Sequence, residues 1–74
     1  MWNLENKYVT GTYLGLFPVG GMVDHSRVKY GGEVSHHVQL REPIKVFGVV
    51  RDRVILEPKD IHYIYDEPPV EIKK

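Results

Sequence analysis

A pair of glycines, Gly31-Gly32, divides the stretch Met22 to Leu40 into two runs rich in Val, Tyr, Ser and His. Glycine reaches positive φ without a Cβ clash, so this pair is the strongest turn signal in the chain. Apolar side chains then recur at even spacing, at Val34, Val38 and Leu40, which is the period of a half-buried strand. A two-residue turn would pair Lys29 with Val34 and Arg27 with His36, setting charges on the apolar face. A three-residue loop, Tyr30-Gly31-Gly32 with Gly32 left-handed, pairs Lys29 with Glu33 and Val28 with Val34. It also sets Met22 opposite Leu40 and His25 opposite His37. Register follows the apolar face, because a one-residue slip exposes every buried side chain. A bulge at Val23-Asp24 is the variant that would turn Val23 inward.

The remaining segments read as further short strands. Tyr8 to Leu14 is β-branched and aromatic, with Gly11 marking a bulge or bend. Gly15 to Gly21 reads as a loop whose Phe17 and Val19 plug one end of the core. Within Arg41 to Arg53, Pro43 argues against a central strand. Ile44, Val46 and Phe47 there form an edge strand or a tucked loop, bent at Gly48. Arg53 to Leu56 is a strand with Val54 and Leu56 on one side. Glu57 to Asp60 is one 3-10 turn, and Ile61 to Tyr65 is a closing strand. Pro68-Pro69 cannot continue a sheet. The organisation expected is a lead-in over 1–7, a β-body over 8–65 and a solvated tail over 66–74. Trp2 and Leu4 of the lead-in either fold back on the body or serve an oligomer contact.

At 74 residues the chain makes one small domain, which buries only about 60% of its unfolded surface. It has no cysteine to staple it, which fits a cytoplasmic location. No run is long enough to span a bilayer, and the N-terminus lacks the plan of a signal peptide. Ten basic and ten acidic residues cancel, which argues against a dedicated non-specific nucleic-acid binder. The charge is uneven. Six basic residues (Arg27, Lys29, Arg41, Lys45, Arg51, Arg53) face four acidic ones between Val23 and Arg53, and the end of the chain is acidic.

The order strand, loop, bent hairpin, strand, 3-10 turn, strand resembles the Src-homology-3-like small barrel. The motifs VTGTYLG, Gly21 to Val23 and VIL-EPKDI-HYI look like its translation-factor-type (KOW) and Tudor-like branches. The resemblance covers residues 8–65 and implies an all-β, five-stranded small barrel with one 3-10 turn near 57–60. The pattern G-x-Y-L-G, R-V-K-Y-G-G and V-x-L-x-x-P-I-x-V-F-G-x-x-R is also similar to small bacteriophage proteins that carry no assigned chemistry. The basic loops of nucleic-acid-binding KOW modules have no counterpart in this neutral chain, and fold analogy alone does not give function.

Catalysis has little support. Ser26 and Ser35 lie within strands rather than on a strained nucleophile turn, and there is no phosphate-binding loop or dinucleotide fingerprint. The carboxylates are scattered. His36 and His37 are adjacent on a strand and point to opposite faces. His36 belongs at the interior or its rim, and His37 opposite His25 lacks the further ligands a metal needs. No enzyme, metal or cofactor is therefore expected. Arg27, Lys29, Arg51 and Arg53 can share one face, with Tyr13, Tyr30 and Phe47 as stacking partners. Arg51 and Arg53, two apart, point one way and can fork an anion. The candidate ligand-binding residues are Arg27, Lys29, Tyr30, His37, Phe47, Arg51 and Arg53. The first functional expectation is a non-enzymatic protein-interaction module, in the manner of a phage-encoded regulator or inhibitor of a host protein. It would dock a partner, or a second copy, through the sheet edges Tyr8–Leu14 or Ile44–Phe47. The alternative is a nucleotide or nucleic acid held on the basic, aromatic face.

Overall fold

The computed structural model describes residues 3–67. The strands are β1 (Tyr8–Tyr13), β2 (Phe17–Val28), β3 (Val34–Val46), β4 (Val49–Leu56) and β5 (Ile61–Tyr65), with a 3-10 turn at Pro58–Asp60 before the last. All neighbours are antiparallel, in one sheet of order β4-β3-β2-β1-β5. The fold is therefore all-β. The outer strands β4 and β5 do not pair with each other, so the sheet curls without closing. Trp2 and the tail beyond Glu67, for which the sequence sets expectations above, lie outside the described residues. Among the described residues no helix is long and apolar enough to cross a membrane.

The central hairpin forms around the three-residue loop. Val28 pairs with Val34, the Lys29 amide donates to the Glu33 carbonyl, and Gly31 and Gly32 both take positive φ. From there His25 meets His37, but the ladder then slips by one at Asp24. Val23 is paired with Val38 and Met22 with Gln39, so Met22 does not oppose Leu40. The slip has a simple cause. Without it, Val23 would point outward. With it, Val23 joins Val9, Val38, Leu40, Val54 and Leu56 in the buried cluster. Leu4, Tyr13, Val19, Ile44 and Ile61 pack around that cluster. Burial of each such side chain contributes about 1.5–3 kcal/mol.

Gly15 to Gly21 is not a loop. β2 begins at Phe17, and Thr12 pairs with Pro18. Pro18 is tolerated because β3 pairs with β2 only from Gly21 onward, so no ladder there calls for its missing N–H. Gly21 is the pivot, paired with Val9 on one side and Leu40 on the other. A Cβ at this position would collide with the Gln39 carbonyl. Arg41–Val46 continues β3. The ladder to β4 is interrupted between Gln39 and Ile44, and Pro43 sits in that gap.

β1 is not a sheet edge, because β2 covers one side of it and β5 the other. The lead-in folds back across the bulge: Asn6 N–H donates to Val23 O and Val23 N–H to Lys7 O, both at 2.8 Å. Lys7 Nζ also meets Asp66 Oδ1 at 2.7 Å and holds that carboxyl below its ordinary range.

Candidate functional site

Strand alternation sends every second side chain of β2, β3 and β4 away from the core. One cross-strand row on this outer face is His25, His37 and Ile55. A second joins Arg27 to Ser35, and a third joins Gln39 to Arg53. Two shallow hollows lie on the face. One is lined by Arg27, Lys29, Tyr30, Ser35, His37 and Ile55. The other is lined by Tyr13, Leu14, His37, Arg51, Arg53 and Ile55. They share His37 and Ile55, so they form one continuous surface. A ligand on it would meet cations at both ends, with an imidazole and an isoleucine between.

All the sequence-selected residues except Phe47 line these hollows. Phe47 occupies the turn between β3 and β4 at φ 50° and packs edge-on against Phe17, ring centroids 5.9 Å apart. Tyr13, from β1, lines the second hollow and also packs against the core cluster. Ile55 and Leu14 were missed. The signal for Ile55 was available, since a residue between inward-facing Val54 and Leu56 must face outward.

The charges on this face are not equivalent. Arg53 Nη1 is bonded to Asp24 Oδ2 at 2.9 Å, from the bulge residue of β2. Among the described residues, Arg27, Lys29 and Arg51 have no carboxylate within ion-pair reach. Tyr30 is fully exposed, and among the described residues no aromatic ring or guanidinium stacks on it. His25 and His37 stand edge to face, centroids 5.7 Å apart. Glu5 Oε2 lies 3.4 Å from His25 Nδ1. Among the described residues no group of three metal-ligating side chains assembles.

The opposite side of β3 holds an arrangement that the sequence reading did not anticipate. Ser26 Oγ and His36 Nδ1 are 2.7 Å apart, and both residues are buried. Leu4 N–H donates to Ser26 Oγ at 3.1 Å, and Ser26 N–H donates to Glu5 Oε2 at 3.0 Å. Burial pushes the His36 imidazole below its ordinary pKa, which favours the neutral ring. A serine beside a histidine suggests a nucleophile, but His36 is 1% exposed and the lead-in lies over Ser26. The pair therefore fastens the lead-in to β2 and β3 rather than facing a substrate.

No protein family, curated protein or solved structure matches the chain.

Proposed function

We propose that this chain is a recognition module, built as a Src-homology-3-like small barrel, whose outer β2–β4 face binds single-stranded nucleic acid. The strand order β4-β3-β2-β1-β5 and the 3-10 turn before β5 support the barrel architecture. The observation that carries the binding reading is the convergence of Arg27, Lys29, Tyr30, His37, Arg51 and Arg53 around two adjoining hollows. Cations that track a backbone, interleaved with exposed aromatic rings, are what an unpaired strand requires. Arg51 is free of carboxylates among the described residues, so a phosphate there displaces no existing ion pair. The near-neutral chain makes the binding local to this face rather than a consequence of overall charge. The Ser26–His36 pair is enclosed, which supports recognition rather than turnover.

Fluorescence anisotropy with a short labelled single strand tests this reading. Three to four phosphate contacts give a log–log salt slope of about −2 to −3, at about 0.7 per contact. Arg51→Ala with Arg53→Ala lowers that slope by about 1.4. Tyr30→Ala costs about 1–3 kcal/mol if one base stacks on it. Affinity that ignores both salt and the arginines would refute the reading.

A second reading, a protein partner added at a sheet edge, is favoured by the bare apolar side chains of β5.

A further inference from the structure

Among the described residues, His37 is the one titratable side chain that lines both hollows of the outer face. It is half-buried, between His25 of β2 and Ile55 of β4. Charged and titratable groups surround it. From β2 come His25, edge-on with ring centroids 5.7 Å apart, and Arg27. The hairpin loop supplies Lys29 and Tyr30, β4 supplies Arg51 and Arg53, and β1 supplies Tyr13. Glu5 of the lead-in lies 3.4 Å from His25 Nδ1, and Asp24 is bonded to Arg53. Glu57, Lys59 and Asp60 line a further hollow that includes Lys29 and Ile55 but not His37.

The two histidines of this row differ in what would answer a positive charge. A protonated His25 has the Glu5 carboxylate beside it. Among the described residues, His37 has no carboxylate within ion-pair reach, and both hollows it lines hold cations. A phosphate seated on the face supplies the missing counter-charge. An opposite charge within about 4–6 Å favours the charged form of a titratable group, and histidine changes charge between about pH 5 and pH 8. We infer that His37 takes up a proton as the outer face binds a phosphate-bearing strand, so that affinity rises as pH falls. This rests on the nucleic-acid reading above and adds to it how the site is regulated. Linkage fixes the sign: the phosphate draws the proton on, so the proton draws the phosphate on by the same factor. Arg27, Lys29, Arg51 and Arg53 keep their charge throughout, so the face binds at every pH and His37 sets how tightly. One proton limits the rise to about tenfold per pH unit. The whole gain is about tenfold, the lower end of what a close counter-charge gives, because the face is open to solvent and salt.

Anisotropy of a labelled thymidine strand, whose bases do not titrate in the range used, tests the inference on the full chain. Ionic strength is held constant from about pH 8 to about pH 5.5, the span of the histidine charge change, with circular dichroism showing the chain folded at each point. The expected result is affinity that rises about tenfold as pH falls. His37→Gln removes the rise, whatever its affinity at the alkaline end. His25→Gln keeps it, and Arg51→Ala lowers affinity at every pH while keeping it. Nuclear magnetic resonance of the wild-type His37 ring supplies a readout that needs no variant: its titration midpoint moves upward by at least about half a pH unit when the strand is bound. Binding of equal strength at both ends of the range would overturn the inference and leave the nucleic-acid reading standing. So would a rise that survives His37→Gln, or a His37 midpoint that ignores the strand. No binding at any pH would overturn both.

Discussion

His36 and His37 are neighbours in sequence and opposites in role. His36 is almost completely buried against Ser26 and pairs across the ladder with Leu56, itself fully buried. His37 lies on the outer face between His25 and Ile55, on the line where the two hollows meet. The same side chain is a buried hydrogen-bonding partner in one place and part of the candidate face in the other. Strand alternation separates them, and the register, fixed by Val23, Val38 and Leu40 reaching one core, decides which is which. The alternation of the strand already assigns the two positions to opposite faces from the sequence, with His36 at the interior or its rim.

The comparison breaks most readily on its inner side. Leu56→Ala, a truncation at the core residue paired with His36, should cost about 2–5 kcal/mol in urea denaturation. That is a large share of the roughly 5–15 kcal/mol a domain commands. His36→Ala should cost about 3 kcal/mol by the same measurement, through the void and the orphaned Ser26 hydroxyl. Ser26→Ala should cost about 1–3 kcal/mol, because it leaves the Leu4 amide and the His36 ring without their partner.

Titration sharpens the contrast. The folded pKa of His36 is lowered by burial, so the unfolded chain binds the extra proton first as pH falls. Stability contributed by the neutral ring is full above the ordinary histidine pKa of about 6.5. It is lost as pH drops from there through the lowered folded value, at no more than about 1.4 kcal/mol per pH unit. His36→Gln should flatten this part of the profile in denaturation experiments at successive pH values. The smallest effect belongs to the outer histidine. His37→Ala should move stability by no more than about 0.5 kcal/mol while weakening oligonucleotide binding.

The sequence carried the parts of this fold that depend on local chemistry. Gly31-Gly32 located the hairpin loop, and the bulge at Asp24 was visible as the variant that rescues Val23. Glu57 to Asp60 was legible as the 3-10 turn, and Ile61 to Tyr65 as the closing strand. What it did not carry depends on which strand lies beside which. Pro18 argues for a loop until one knows that β3 does not pair with that half of β2. Tyr8 to Leu14 reads as an edge until β5 covers its free side. Arg27, His37, Arg51 and Arg53 were legible as one face because they obey a period of two along β2, β3 and β4, while Lys29 and Tyr30 lie in the hairpin loop. Phe47 fell outside it because a turn at positive φ sends its ring to Phe17. The expected hairpin register already sets Ser26 opposite His36; what lay out of reach of the sequence is the lead-in that completes the arrangement at Leu4 and Glu5.

The most direct test of the recognition face is an amide chemical-shift titration with a short single-stranded oligonucleotide at low salt. Perturbations should concentrate at Arg27 to Tyr30, His37, Arg51, Arg53 and Ile55, fading as salt is added. Shifts confined to Phe47 and the β3–β4 turn, or no shifts at any oligonucleotide concentration, would contradict it.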